Sequence, residues 1–293
     1  MTDLTLQAIR PVIRRALKED AALWDITSRS VIPKDLVIRA RIIARARGIA
    51  AGITAAGLAF TAVDSRVKWK QRIRSGAAVA PGSVILTVEG RAWSIFSAER
   101  VALNFLGHLS GIATLTGEFV RRIKGTRAKI LDTRKTLPGL RALEKYAVAA
   151  GGGANHRATL QEAVLIKTNH LKAMQRAAAA PRSPLPIQVA LQLARRQHPG
   201  QVIQIEVTNL RELTAALTGK PDAVLLDNWM VPAITRAVKL RGRKSRKPLL
   251  EVSGGVTLDN VAAIAKTGVD RISIGRLTHS APSLDVSLTV DGS

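Results

Sequence analysis

No cysteine occurs among the 293 residues. A disulfide framework and a thiolate zinc site are therefore excluded, and the composition fits a reducing compartment, so the expected location is cytoplasmic. Aromatic residues make up only 3% of the chain, which leaves few platforms for stacking single-stranded bases. No apolar run approaches the roughly 20 residues that cross a bilayer, so no membrane partner is expected. The opening stretch MTDLTLQAIRPVIRRALKED reads as an amphipathic helix over about residues 4–18. It lacks the continuous apolar core of a signal peptide.

Acids are also scarce. Asp and Glu number 21 against 45 Lys and Arg, a formal net charge of +24. Such a field favours anionic partners and speeds their approach. The cations are scattered through VIRRALK, IRARIIARARG and FVRRIKGTR. Only RGRKSRK (Arg241–Lys247) is dense, and it reads as a solvated loop between two apolar strands. A specific nucleic-acid partner is therefore not expected. Hydrophobic residues reach 46%, enough for a chain of this length to bury a sizeable core.

The pattern changes near residue 115. Before it, IRARIIARARGIAAG alternates like a half-buried strand. SAERVALNFLGHLSGIATLT, about residues 97–116, reads as a long helix with Leu103, Leu106 and Leu109 at helical spacing. After it, apolar strands alternate with helix-like stretches: AKILDT (128–133), AVLIKTNH (163–170), VIQIEVT (202–208), DAVLLDN (222–228), LLEVSGG (249–255) and DRISIGR (270–276). This is the βα rhythm of a parallel sheet buried on both faces. Residues 172–200 read as a loop followed by a helix.

The strand ends carry the polar residues. Arg134 and Lys135 follow the first strand, and Lys167 ends the second. Glu206 lies in the third, Asp227 ends the fourth, Ser253-Gly254-Gly255 ends the fifth and Gly275 the sixth. In a β/α barrel these ends converge on one mouth, where active sites form. Arg134, Arg157 and Lys167, with His156, suit carboxylates or phosphates. The glycine turns let backbone N–H groups approach a phosphate. Glu206 and Asp227 suit a magnesium ion, ribose hydroxyls or a developing positive charge. The expected ligands are a phosphorylated sugar and a small polyacid.

Eight segments then resemble the quinolinate phosphoribosyltransferase family, also called carboxylating nicotinate-nucleotide pyrophosphorylases. They are EDAALWDITS, ERVALNFLGHLSGIAT, LDTRKTLPGLRALEKYAV, GGGANHR, LIKTNH, LLDN, EVSGGVTLDN and LTHSAPSLDVSL, in that order along nearly the whole chain. The resemblance implies an α/β fold: an incomplete parallel β/α barrel (116–276) with an N-terminal α/β sandwich domain (1–115) that the tail (277–293) rejoins. It implies a homodimer, or a multiple of dimers, with shared active sites. The implied reaction joins quinolinate to 5-phosphoribosyl-1-pyrophosphate with Mg2+, giving nicotinate mononucleotide, pyrophosphate and carbon dioxide. It assigns Arg134, His156, Arg157 and Lys167 to the two quinolinate carboxylates, with Arg100 reaching in from a second subunit. Ser253, Gly254 and Gly275 match phosphate-binding positions. Lys135, Lys167, Glu206 and Asp227 are the expected catalytic groups, and Glu206 and Asp227 the metal ligands.

Several positions depart from the family pattern. Trp24 stands where glycine is usual, Thr168 where an acid follows the lysine, and Thr159 where glycine is usual. Gln204 and Thr208 replace acids that flank Glu206, and Arg276 replaces a small residue. Every one of these departures is expected to make the site larger, less acidic or more basic. Two other readings are carried forward: a related phosphoribosyltransferase for another aromatic acid, and a non-enzymatic anion or nucleic-acid binder on the same scaffold.

Overall fold

The computed structural model describes residues 6–178, 186–242 and 247–292. Residues 243–246 of the dense basic segment lie outside the described residues. The described strands are β1 (Val37–Ala44), β2 (Gly48–Ile49), β3 (Lys68–Gln71), β4 (Ala78–Val79), β5 (Val84–Arg91), β6 (Lys129–Leu131), β7 (Val164–Ile166), β8 (Ile203–Val207), β9 (Ala223–Asp227), β10 (Leu249–Ser253), β11 (Arg271–Ser273) and β12 (Val286–Val290). The α-helices are α1 (Leu6–Glu19), α2 (Ile26–Val31), α3 (Ile53–Val63), α4 (Ala92–Arg122), α5 (Arg141–Ala150), α6 (Thr168–Ala177), α7 (Ile187–Gln197), α8 (Leu210–Thr218), α9 (Val231–Arg241), α10 (Val261–Lys266) and α11 (Arg276–His279).

The chain forms two compact units. The first comprises residues 1–117, 135–153 and 276–293; the second comprises 118–134 and 154–275. In the first, an antiparallel sheet runs in the order β12-β1-β5-β3. The alternation in β1 is real: Ala40, Ile42 and Ala44 are buried while Arg39 and Arg41 face outward, as a two-residue repeat requires. Asp25 caps α2 by accepting from the Ser28 backbone N–H at 3.0 Å, which explains the D-x-x-S spacing. Helix α4 is longer than the expected 97–116. Its apolar repeat already starts at Ala92, Ile95 and Ala98, all fully buried, and still holds at Phe119. Gly111 lets it lie against the 282–284 segment, since a Cβ there would sit 2.0 Å from the Pro282 carbonyl.

Residues 135–153 pack in this first unit, whereas the expected catalytic domain ran unbroken from 116 to 276. Fully buried Glu144 accounts for part of this: its Oε1 lies 2.9 Å from His108 Nε2, and its Oε2 accepts from the Leu137 backbone. Tyr146 donates to Ser75 at 2.7 Å.

The second unit holds six parallel strands in the order β6-β11-β10-β9-β8-β7. In chain order each strand from β7 to β11 pairs with the next, and β11 pairs with β6. That is the winding of a β/α barrel with fewer than eight strands. Beside β6, Leu131 makes a single parallel bridge to Ala154. Strand β9 is buried from Ala223 to Leu226, because helices and the interior cover its two faces. Residues 172–177, expected as loop, belong to helix α6. LKAMQRA is rich in strong helix formers, and its buried Leu171 anchors it. Residues 179–185 of that expected loop lie outside the described residues.

Candidate active site

Parallel register sets the functional groups abreast. Leu131, Ser273, Ser253 and Asp227 form one line across β6, β11, β10 and β9. Glu206 and Glu251 both pair with Leu225, and Gln204 pairs with Ala223. Side chains alternate along a strand. Gln204, Glu206, Asp227, Glu251 and Ser253 therefore share one face of the sheet.

Arg134 and Arg157 are the cationic part of this unit's site. Both are half-buried, and each has a buried Nε without a hydrogen-bond partner among the described residues. Burial, and then the charge of Arg134, lower the pKa of the Arg157 guanidinium; Glu162 only partly opposes them. Two cations held close with unspent donors are the arrangement an anion completes.

The loop that carries His156 and Arg157 is fastened from below. Asp132, fully buried just beyond β6, accepts from the His156 backbone at 2.8 Å and from Asn155 Nδ2 at 2.5 Å. The Arg157 backbone N–H donates to His156 Nδ1 at 2.8 Å, and its guanidinium donates to the Ala163 carbonyl at 2.6 Å. His156 Nε2 lies 3.1 Å from Gln204 Oε1 and 3.4 Å from Glu251 Oε1. Nε2 thus faces both the amide oxygen and the carboxylate.

Glu251 is fully buried. Burial pushes its pKa up, but contacts from His156, Ser273 and Gln204 prevail, and the carboxyl titrates below its ordinary value. Gln204 Nε2 donates to Glu251 Oε2 at 3.1 Å, and Arg271 lies 4.0 Å from the same oxygen.

Lys167 is exposed at the start of α6, and its backbone N–H donates to His170 Nδ1 at 2.8 Å. Glu206 Oε1 accepts from the Thr168 backbone N–H at 3.0 Å, so this acid holds the first turn of α6 rather than pairing with a nearby arginine. The Thr168 hydroxyl is buried without a partner among the described residues. Asp227 is half-buried and accepts from Asn228 Nδ2 at 2.9 Å. Asn228 donates its backbone N–H to the Ser253 carbonyl at 2.8 Å. Gly254 has φ +88°, and a Cβ there would lie 2.1 Å from Asn228 Oδ1. Asn260 closes the turn by donating to the Gly255 carbonyl at 2.9 Å. Gly275 follows β11, half-buried, and Arg276 after it is exposed.

Nine of the eleven expected site residues thus belong to the second unit. Arg100, exposed on α4, and Lys135, exposed after Arg134, belong to the first. Among the other histidines, His108 pairs with Glu144, His279 contacts Ser280, and His198 is exposed at the end of α7. Among the described residues no cluster of three or more His, Cys, Asp or Glu side chains is placed to hold a metal. The available donors are the carboxylates of Glu206 and Asp227. A hard cation held by one or two carboxylates and completed by substrate phosphates is how magnesium is usually bound, so the donor set fits Mg2+.

Asp132 and Glu251 were not picked out from the sequence. The signal was present: each is an acid within or directly after an apolar strand, in KILD and LLEVS. Only the structure shows what they hold.

Two family models match the chain. "Quinolinate phosphoribosyl transferase, N-terminal domain" covers residues 25–110 and "Quinolinate phosphoribosyl transferase, C-terminal domain" covers residues 112–289. The carboxylating nicotinate-nucleotide pyrophosphorylase of Mycobacterium leprae is 40% identical over 98% of this chain and 99% of its own length. A probable carboxylating nicotinate-nucleotide pyrophosphorylase of Bacillus subtilis is 37% identical, covering 96% of this chain and 93% of its own. The solved nicotinate-nucleotide pyrophosphorylase from Francisella tularensis superposes with a TM-score of 0.87 at 37% identity, over 97% of this chain and 96% of that one.

Proposed function

The chain belongs to the quinolinate phosphoribosyltransferase family, and from that premise we infer that it transfers the phosphoribosyl group of 5-phosphoribosyl-1-pyrophosphate to quinolinate. Decarboxylation follows, giving nicotinate mononucleotide, pyrophosphate and carbon dioxide in NAD biosynthesis. The observation that carries the reading is the Arg134–Arg157 pair, two half-buried cations with unspent Nε donors. A diacid satisfies both; a substrate with one carboxylate leaves one cation buried and unpaired, which is costly.

In this reading Arg134, Arg157 and Lys167 hold quinolinate by its carboxylates and aim the ring nitrogen at C1 of the ribose. Ser253, Gly254 and Gly275 receive the 5-phosphate through the glycine turns. Glu206 and Asp227 would hold Mg2+, which when bound would supply charge neutralisation to the pyrophosphate leaving group. Their own charge stabilises positive charge as it grows at C1. Lys135 assists the leaving group. Once the nitrogen carries the ribosyl group, the pyridinium ring draws in the electron pair that the C2 carboxylate releases as carbon dioxide. The gain comes from orientation and charge stabilisation, with no covalent enzyme intermediate. The proposal includes a homodimer in which a second copy contributes its Arg100, and a cytoplasmic location.

The test is incubation of the protein with quinolinate, phosphoribosyl pyrophosphate and Mg2+, following nicotinate mononucleotide. Lys167→Ala and Glu206→Ala serve as controls. Product from the unaltered protein and not from the controls supports the reading and its site. Tight quinolinate binding without product points to the departures at Thr168 and Arg276. Absence of both overturns the reading in favour of another aromatic acid or a simple anion binder.

A further inference from the structure

His156 has been counted above with the anion-binding cations because it sits beside Arg157. Its hydrogen bonds argue otherwise. A backbone N–H can only donate, and the Arg157 N–H points at His156 Nδ1 from 2.8 Å. Nδ1 must therefore offer a lone pair and carry no proton. The single ring proton then belongs on Nε2.

The hydrogen-bond directions at the opposite end of the network agree with this. An ionised carboxylate can only accept, so the Gln204 amide must turn its Nε2 toward Glu251 Oε2, at 3.1 Å. That turns Gln204 Oε1 toward His156 Nε2, at 3.1 Å. An amide oxygen is an acceptor, so Nε2 must be the donor. One directional chain results, from the Arg157 N–H through the imidazole and the Gln204 amide to Glu251. Arg271, 4.0 Å from Glu251, closes it with a charge. Both ring nitrogens are spent inside the protein.

We propose that Gln204 and Glu251 are positioning residues that lock His156 as the neutral Nε2–H tautomer, so that His156 orders the Arg157 backbone instead of acting as a third cation on the substrate. Gln204 is decisive. An acid in its place would put two carboxylates side by side, and one carboxylate would have to take a proton or draw one onto the ring. A neutral amide passes the proton direction along without a second charge. The consequence for the site is that a diacid is neutralised by arginines and lysine alone. This rests on the proposed quinolinate site, but its test does not need turnover.

The experiment is two-bond 15N–1H correlation NMR on histidine-labelled enzyme at neutral pH, without ligand and then with saturating quinolinate. His156 is assigned by the signal lost in His156→Asn. The expected result is a protonated Nε2 and a bare Nδ1 in both states. A proton on Nδ1, or on both nitrogens in the quinolinate complex, overturns the inference and leaves the enzymatic reading intact. An enzyme that shows the expected tautomer but makes no product fails the enzymatic reading instead. Gln204→Leu supplies the second measurement. Loss of the fixed tautomer with KM for quinolinate raised about tenfold, the value of one well-placed hydrogen bond, and kcat within about twofold, marks positioning. A tautomer unmoved by that substitution removes Gln204 from the role.

Discussion

Arg134 and Arg157 are like charges held close: burial and the charge of Arg134 keep the Arg157 guanidinium below its ordinary pKa, and each side chain retains a buried Nε without a hydrogen-bond partner. A structural pair would have been neutralised by the fold. In the proposed function the two carboxylates of the substrate supply that neutralisation. Arg134→Ala is expected to weaken quinolinate binding roughly 10- to 100-fold, the worth of one charge-assisted, bidentate contact. Because the substitution also relieves repulsion, the urea midpoint should hold or rise. Calorimetric titration with quinolinate, beside urea unfolding, checks both. A variant that loses stability but keeps its affinity contradicts the assignment.

Gly254 couples the turn proposed to receive the phosphate to the end of β9. Its φ of +88° is one that L side chains rarely adopt, and Asn228 Oδ1 occupies the space a Cβ needs. Gly254→Ala should cost about 1–3 kcal/mol of stability through strain. It should also raise KM for phosphoribosyl pyrophosphate more than KM for quinolinate, because Asn228 supports Asp227. Equal rises in the two KM values would show that the turn has no special link to the phosphate.

The sequence exposed the strands and their ends because those features are local. Apolar runs of five or so residues bounded by polar turns marked all six parallel strands, and the glycines and cations lie at or just beyond their ends. It hid what depends on neighbours across the sheet. Glu251 looks like one acid in an apolar strand, and Gln204 like a lost charge. Their meaning comes from register, which places both on one face and within reach of each other. The contacts of His156 were hidden for the same reason: its position beside Arg157 is local, while its contact with Gln204 comes from across the sheet. Residues 135–153 were placed with the barrel because they follow its first strand. Buried Glu144, bound to His108, shows how strongly they pack with the other unit.

Glu206 has two duties that one substitution can separate. Its Oε1 accepts the Thr168 backbone N–H and so fixes the first turn of α6 beside Lys167. Its charge is the half expected to serve Mg2+ and the ribosyl centre. Glu206→Gln keeps an acceptor and removes the charge. Melting should stay near that of the unaltered protein, while kcat falls about 100-fold or more. Chelation of Mg2+ should reproduce the loss of turnover in the unaltered enzyme and leave quinolinate binding unchanged, since the arginines need no metal. If chelation releases quinolinate, the ion contacts the diacid and not the sugar.

Asp64 offers a test of the fold that is independent of the chemistry. Its carboxylate accepts Arg66 Nε and a second guanidinium nitrogen, each at 2.9 Å, and the Ser94 hydroxyl at 2.9 Å. Its pKa lies far below the ordinary value, chiefly through the Arg66 hydrogen bonds and despite desolvation. The folded state thus binds the Asp64 proton less tightly than the unfolded chain, where the pKa is about 3.9. Linkage then fixes the sign: the stabilisation is complete above about pH 4 and drains away as pH falls toward the folded value. Arg66 is largely exposed, so solvent screening keeps the effect small at neutral pH. Asp64→Asn should therefore be slightly less stable at pH 7. The gap should narrow as pH is lowered from about 5 to 3, because the aspartate loses its advantage and the asparagine has none to lose. Urea unfolding of both proteins across that range measures it, and a gap that stays constant or widens toward acid would remove Asp64 as a source of the pH dependence.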